Sequence, residues 1–171
     1  SGIAYVTGTT DSSEVTFPVT GGPDLSFNGG FYDAFVAKVN AAGTALVYAG
    51  YIGGTGFDFG TGIAVDGSGN AYVAGLTSSW YATFPVKVGP ALTNGNWDAF
   101  VAKVSPDGTG LIYAGYLGGS EYDSAGGIAV DESGNAFVAG GTASSEDTFP
   151  VEGGPDLTYN GGGEAFVAKV S

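Results

Sequence analysis

The chain has 171 residues, of which 43% are apolar, which is enough to form a folded core. Its 17 acidic residues against four basic ones give a net charge of −13, so nucleic acid and anionic membrane surfaces are not expected as partners. Cysteine, methionine and histidine are absent, which excludes disulfides, thiolate or histidine metal sites, and cysteine or histidine catalytic pairs. No segment approaches the ~20 consecutive apolar residues that span a bilayer, so membrane insertion is not expected.

The sequence repeats itself with a period of about 65 residues. The segment Asp33–Val39 returns as Asp98–Val104 and again, beginning with glutamate, as Glu164–Val170. A fixed period of this length indicates one supersecondary unit used repeatedly, each copy burying apolar surface against the next. The chain holds about two and a half such copies. Their predicted boundaries are residues 1–61, 62–126 and 127–171.

The middle copy predicts four strands in chain order, separated by turns rich in glycine, proline, asparagine and aspartate. The first copy contains strands two to four and the last copy strands one to three, so ten strands are expected. Both faces of these strands are largely apolar, so neighbouring sheets should cover both. We therefore predict an all-β fold of four-stranded antiparallel β-propeller blades, with a parallel β-helix as the alternative. The predicted strands of the middle copy are Gly62–Asp66, Ala71–Gly75, Asp98–Val104 and Leu111–Tyr116.

Four sequence strings recur between the copies, namely Asp33–Val39, Leu46–Gly54, Gly62–Gly75 and Thr83–Val86. Together they resemble the SBBP family of β-propeller repeats, which is found mostly in large secreted or cell-surface proteins of bacteria and archaea. The resemblance implies a propeller fold, an extracellular or cell-surface location and a scaffold or interaction role, and it implies no common catalytic motif. The connection before the third strand, most clearly at residues 78–96, is longer than the family pattern.

Two glycine-rich turns, Asp66–Asn70 and Asp131–Asn135, carry oxygen donors of the kind that calcium accepts as ligands. One further aspartate lies eight residues upstream of each turn. The alternative interpretation is an ordinary hairpin turn, in which the aspartate accepts hydrogen bonds from backbone N–H groups. No motif requires a cofactor, and calcium is the candidate ion. Its candidate ligands are Asp58, Asp66, Asn70, Asp123, Asp131 and Asn135.

Two further groups of residues are candidates for binding a glycan or a surface protein. Aspartate, asparagine and an aromatic residue recur in the insertions 22–29 and 154–161, where they suit sugar binding but are also common turn residues. Tryptophan occurs only in the middle copy, where it would form a binding hot spot or cover the longer insertion as a small core. The candidate residues are Asp24, Asn28, Asp156, Asn160, Trp80, Tyr81 and Trp97.

The sequence contains no P-loop, dinucleotide-binding fingerprint or nucleophile elbow, so we expect a protein that is not an enzyme. We predict a non-catalytic extracellular module that acts as scaffold, adhesin or self-assembling surface subunit. A lectin-like module that binds carbohydrate or protein through its insertion loops is the alternative. Ten strands fall short of a closed propeller, which needs about four or more blades. The expected partners are therefore further blades of the same protein or other copies of the chain, in a ring or filament.

Overall fold

The computed structural model describes residues 2–171 and contains ten β-strands in this range. No helix long and apolar enough to cross a membrane occurs in the same range. The strands are short and rich in valine and aromatic residues, which favour a pleated, half-buried backbone. In chain order they are β1 (Ala4–Thr10), β2 (Asp33–Val39), β3 (Leu46–Ile52), β4 (Asp58–Val65), β5 (Ala71–Thr77), β6 (Asp98–Val104), β7 (Leu111–Leu117), β8 (Asp123–Val130), β9 (Ala136–Thr142) and β10 (Glu164–Val170).

The strands form three antiparallel sheets, each of which is one blade. The first blade consists of β1, β2 and β3, the middle blade of β4 to β7, and the third blade of β8, β9 and β10. Consecutive strands are hydrogen-bonded neighbours in every sheet, so each connection within a blade joins adjacent antiparallel strands. The predicted all-β fold of ten strands in antiparallel propeller blades is confirmed. Among residues 2–171, four strands occur in the middle blade and three in each neighbour.

The first strand of each repeat begins four residues earlier than the sequence predicted, at Asp58 in β4 and Asp123 in β8. The predicted starts were Gly62 and Gly127, but the chain is already extended before them. A β-bulge makes this possible, because the register of β4 shifts between Gly60 and Gly62 and absorbs one extra residue. This is a correction to the predicted repeat boundaries: those at 61/62 and 126/127 lie inside β4 and β8.

The blades stack face to face, and the middle blade is buried on both faces. On β6, Val101 and Ala102 point to opposite faces, as neighbours on a strand do, and both are fully buried. Ala102 lies in an apolar core together with Val36 of the first blade. Val101 lies in a second core together with Val138 of the third blade. Each junction between blades therefore has its own apolar core, as the two apolar faces in the sequence predicted.

The first strand of a blade lies beside strands of both neighbouring blades. β4 packs against β1 on one side and against β8 on the other, which is the position of the inner strand in a propeller. The Thr61 hydroxyl, on the bulge of β4, donates a hydrogen bond to the carbonyl of Ala125 in β8 (2.7 Å). A Cβ on Gly62 would lie 3.3 Å from Ile128 Cγ2, so glycine allows β4 and β8 to approach closely.

Tyrosine hydroxyls add a polar contact to each junction. The Tyr5 hydroxyl in β1 donates to the Gly69 carbonyl, which lies in the first turn of the middle blade (3.3 Å). The equivalent Tyr72 hydroxyl in β5 lies 3.0 Å from the Gly134 carbonyl, in the same turn of the third blade. In β9 the equivalent residue is Phe137, which carries no hydroxyl. The same contact thus recurs at both junctions beside the apolar core, and at Tyr72 it shares the hydroxyl proton with Asp66 Oδ2, which also lies 3.0 Å away.

The turn between the third and fourth strands occurs in the first and the middle blade. Only the turn of the middle blade packs against a preceding blade. Gly108 lies in this turn with a φ of +81°, and a Cβ there would overlap the ring of Tyr48, which is buried in β3. Gly43 occupies the same position in the first blade with a φ of +70°, and nothing lies within 4 Å of its Cβ position. The two glycines therefore share a backbone conformation and differ in what covers them.

Gly108→Ala should lower the free energy of unfolding by about 1–3 kcal/mol more than Gly43→Ala does. Both substitutions impose the same strain, because both glycines have a left-handed conformation. Only the methyl group at position 108 would overlap Tyr48, so the difference isolates a contact between blades. Urea unfolding of the two variants measures it. Equal losses of stability would show that the turn does not pack on Tyr48.

Candidate functional site

Four aspartates at strand starts are buried at one end of the blades. Asp33 begins β2, Asp58 begins β4, Asp98 begins β6 and Asp123 begins β8. All four side chains are almost completely shielded from solvent. They lie at the same end because the first and third strands of an antiparallel blade run in the same direction. Buried carboxyl groups require hydrogen-bond donors or a neutralising charge, so their surroundings show what each one does.

The aspartates of the first strands bind the loops on either side of them. Asp58 Oδ2 accepts hydrogen bonds from the Gly54 N–H (2.8 Å) and the Ser79 hydroxyl (2.7 Å), and Oδ1 accepts one from the Thr77 hydroxyl. Asp123 Oδ2 accepts the equivalent bonds from Gly119 (2.7 Å) and Ser144 (2.8 Å). Burial nevertheless raises the pKa of Asp58 above its usual range. These aspartates fix the entry to the inner strand of each blade.

The aspartates of the third strands have fewer donors. Asp33 Oδ2 accepts one hydrogen bond from the Asn28 N–H (2.9 Å), and Asp98 Oδ2 accepts one from the Gly95 N–H (2.7 Å). Oδ1 of each of these two aspartates is buried without a hydrogen-bond partner. Burial raises the pKa of Asp33 and of Asp98 to about 7, and the charge of the aspartate opposite contributes in each case.

Aspartates of adjacent blades face each other across a glycine. A Cβ on Gly53 would lie 2.5 Å from Asp33 Oδ1 and 3.0 Å from Asp58 Oδ2. A Cβ on Gly118 would overlap Asp98 Oδ1 and would lie 2.8 Å from Asp123 Oδ2. We call Asp33 with Asp58, and Asp98 with Asp123, the two acid pairs. Asp33 and Asp98 were not among the predicted site residues, although an acidic residue recurs at the start of each third strand, at 33, 98 and 164.

An aromatic residue precedes each of the four buried aspartates, and these residues form a continuous row. The ring centroids of Phe57 and Trp97 are 5.5 Å apart, and those of Trp97 and Tyr122 are 6.4 Å apart. Phe31 stacks on Phe57 with a centroid distance of 5.0 Å, and it is 67% exposed. The aromatic row consists of Phe31, Tyr32, Phe57, Phe59, Trp97 and Tyr122.

The backbone holds the aromatic row across the blade junctions. The carbonyl of Tyr32 accepts a hydrogen bond from the Asp58 N–H (2.8 Å), and the carbonyl of Trp97 accepts one from the Asp123 N–H (2.7 Å). A cleft of about 500 Å³ opens beside the row and is lined by its members Phe59 and Tyr122, together with Thr9, Thr61, Leu76 and Ser124 among others. One end of the molecule therefore combines buried acids, a partly exposed aromatic surface and a cleft.

Two segments of the chain that cross the junctions between blades match a family model. The model of the SBBP β-propeller repeat matches residues 47–80 and 112–145. These two segments are SBBP β-propeller repeats. Each match runs from the fourth strand of one blade through the first two strands of the next, so an SBBP repeat includes the aspartate that begins the inner strand, Asp58 or Asp123. No curated protein matches the chain.

Trp80, Tyr81 and Trp97, which were predicted as one group, lie in two different places in the structure. Trp80 and Tyr81 lie in the connection after β5, where they are 68% and 53% exposed. Trp97 is half-buried in the aromatic row and contacts Phe57, Phe59 and Tyr122 instead. The three residues therefore do not form one binding surface.

The predicted sugar-binding residues of the insertions hydrogen-bond to one another. The Asn28 side-chain amide donates to Asp24 Oδ2 (2.9 Å), and the Asn160 amide donates to Asp156 Oδ2 (3.3 Å). Backbone N–H groups two residues after each aspartate occupy the other carboxylate oxygen. This geometry is that of an Asx turn, which favours the structural interpretation of these residues.

The predicted calcium ligands do not come together, which is a correction to that prediction. Asp58 begins β4 and Asp66 follows its end, so their backbones are separated by about eight residues at ~3.3 Å each. Asp66 Oδ1 accepts hydrogen bonds from the N–H groups of Ser68 and Asn70, and Oδ2 accepts one from the Asn70 amide. The turn at Asp131 repeats this pattern with Asn135, far from Asp123. Residues 2–171 contain no group of three or more acidic side chains that could hold a metal ion.

Trp97→Ala should lower the free energy of unfolding by about 2–3 kcal/mol, because it removes a half-buried ring that contacts both junctions. Trp80→Ala is the matched control and should change stability by less than about 0.5 kcal/mol, since its side chain is mostly exposed. Chemical unfolding followed by circular dichroism measures both. The structure would be contradicted if Trp80→Ala were the more damaging substitution.

Proposed function

We propose that the chain is a non-catalytic extracellular module whose SBBP blades act as scaffold, adhesin or self-assembling surface subunit. The family supports the coarser description, a repeat-based structural or interaction module. The absence of oxidisable cysteine and methionine suits an extracellular location. The acid pairs support a non-catalytic role, because their carboxyl groups are buried where no substrate reaches them. The observation that carries the proposal is a pair of complementary open faces, one at each end of the blade array.

The forward face is the face that a blade turns toward the next blade. Its central residues are Val36 in β2, Val101 in β6 and Val167 in β10, which occupy the same position in the three repeats. Val36 and Val101 are fully buried by the following blade, whereas Val167 is 65% exposed. The forward face of the third blade is therefore an apolar surface that no described residue covers.

The back face is the face that a blade turns toward the preceding blade. Its equivalent residues are Val6 in β1, Val73 in β5 and Val138 in β9. Val73 and Val138 are fully buried, whereas Val6 is 42% exposed. The back face of the first blade is thus open as well. Within the molecule, forward faces pack on back faces twice, so the two open faces have the chemistry to pack on each other.

The third blade also has a cavity of about 840 Å³, which includes Phe149 and Phe166 in its lining. In the middle blade the equivalent pair, Phe84 and Phe100, packs against Tyr116 of the fourth strand. Among the described residues, β10 has no strand paired along its outer edge. A fourth strand with a tyrosine at the matching position would fill this cavity and pair with β10. The element that fits this edge is therefore the fourth strand of an SBBP repeat.

The partners that we propose are further blades of the same protein or other copies of the chain. A forward face that binds a back face is a head-to-tail contact, which closes into a ring or grows into a filament. In either case each contact would repeat the apolar core of the internal junctions, but not the acid pair, since the described first blade has no strand equivalent to β4. This arrangement would bury the open apolar faces, which otherwise favour nonspecific association.

Val6→Glu and Val167→Glu should each stop self-assembly, because each substitution places a charge on one of the two open faces. A mixture of the two variants should form a dimer and nothing larger, since each variant retains the face that the other has lost. Mass photometry at micromolar concentration measures the species present. Monomeric wild-type protein under these conditions would contradict self-assembly, and assembly of either variant alone would contradict the head-to-tail contact.

A lectin-like module is the second candidate, and the exposed part of the aromatic row favours it. Aromatic rings beside a cleft with polar side chains are a common surface for carbohydrate binding. Phe31 is the appropriate residue to test, because it is the most exposed member of the row among those with a stacked neighbour. The insertion loops around Asp24 and Asp156 would then act as the rim of the surface.

Phe31→Ser should abolish glycan binding if the aromatic row is a carbohydrate surface, while leaving the fold intact because the ring is mostly exposed. Tyr81→Ser is the matched control, since it removes an exposed aromatic ring outside the row. A glycan array probed with wild type and both variants makes the comparison. No binding by the wild type, or equal loss in both variants, would count against the lectin function.

A further inference from the structure

The acid pairs bury two carboxyl groups side by side without a basic residue to neutralise them. The chain has four lysines and no arginine or histidine. Lys38 donates to the Pro106 carbonyl, Lys87 donates to the Leu111 carbonyl, Lys103 pairs with Asp66, and Lys169 lies over the ring of Phe137. Two buried carboxylates that flank one glycine disfavour each other's ionisation, and a proton or a cation at one of them removes the repulsion.

The hydrogen bonds distinguish the two members of the first pair. Asp58 accepts bonds from Thr77, Ser79 and Gly54, which is the pattern of an ionised carboxylate. Asp33 accepts one bond at Oδ2, and its Oδ1 is buried beside Gly53 with no donor. An unpartnered buried oxygen facing a carboxylate is satisfied when it carries a proton and donates it.

The second pair repeats this arrangement. Asp123 accepts two bonds at Oδ2, from Gly119 and Ser144. Asp98 accepts one bond at Oδ2, and Oδ1 of both Asp98 and Asp123 is buried without a partner. A proton on Asp98 Oδ1 would therefore find an acceptor on Asp123. The recurrence at both junctions shows that the arrangement belongs to the repeat.

We propose that each acid pair holds one shared proton, carried by the third-strand aspartate and donated to the first-strand aspartate of the next blade, and that this proton holds the junction together. Asp33 and Asp98 are thus the proton donors, and Asp58 and Asp123 are the acceptors. The glycine between the two acids keeps them close, because any side chain at Gly53 or Gly118 would occupy the space of the carboxyl oxygens.

The other ionisable groups around the pairs do not remove the need for the proton. Asp24 and Asp58 act on Asp33 with negative charge, and Asp123 acts on Asp98 in the same way. Tyr51 faces Asp33, and Tyr116 faces Asp58 and Asp98. Burial raises the pKa of Tyr51 to about 12 and raises the pKa of Tyr116 too, so both tyrosines remain neutral near neutral pH. Among residues 2–171, the charged side chains that act on Asp33 and Asp98 are all aspartates.

The shared proton makes the junctions sensitive to pH in a definite direction. The pKa of Asp33 and of Asp98 is about 7 in the folded protein, against an ordinary value of 3.8. The folded state therefore binds these protons more tightly than the unfolded state does. By linkage, stability falls as the pH rises from about 4 to 7, and it stays low above that range. Two carboxylates then repel each other at each junction.

The test is a carboxyl ¹³C NMR titration of the wild-type protein, combined with thermal unfolding. Two aspartate side chains should titrate with midpoints near 7, and both signals should disappear in Asp33→Asn/Asp98→Asn. The wild type should lose about 5–10 °C in melting temperature between about pH 5 and pH 8. The double variant should lose much less, because asparagine donates the same hydrogen bond without a titratable proton.

Asp107→Asn/Asp156→Asn is the control, since it removes two exposed charges and should keep the wild-type slope. The proposal is overturned if every aspartate of the wild type titrates near its ordinary value. This measurement needs only the wild type, so it decides the question even if the double variant fails to fold. It is also overturned if calcium or sodium chloride restores the melting temperature at high pH as fully as acid does. That result would mean that the pairs hold a cation instead of a proton.

Discussion

Each SBBP blade has two apolar faces and cannot bury either of them alone, so the fold depends on the packing of one blade on the next. Both faces of the middle blade are covered, since Val101 and Ala102 are buried on opposite faces of β6. The equivalent strand β10 has almost the same sequence, yet Val167 is largely exposed because no described blade covers it. The stability of such an array is the sum of its blades and of the junctions between neighbours.

The junction is therefore the repeating unit of both structure and function. Each junction combines an apolar core, a tyrosine hydroxyl bonded to the next turn and a pair of aspartates across a glycine. The SBBP matches at 47–80 and 112–145 cross the junctions instead of coinciding with single sheets. A surface that joins blades inside the chain is also suited to join further blades to it, which is the basis of the proposed scaffold role.

The sequence predicted what depends on local pattern and missed what depends on contacts between sheets. The period, the ten strands and the bounds of β6 followed from alternation and turn residues. The early start of β4 was missed because glycine is uncommon in strands and the bulge at Gly60 forms only against β5. Asp33 and Asp58 meet across two sheets, and no periodicity within one strand indicates such a meeting. Trp80 and Trp97 were grouped by their rarity, which carries no spatial information.

Amide hydrogen exchange of β6 and β10 tests most directly whether coverage by neighbouring blades stabilises each blade. The two strands share their sequence except at the first residue, and both pair with the second strand of their own blade. In the monomer, the amides of β6 that bond to β5 should exchange at least about tenfold more slowly than the equivalent amides of β10 that bond to β9. Equal exchange in the two strands would contradict the account, because it would mean that a blade is stable without its neighbours.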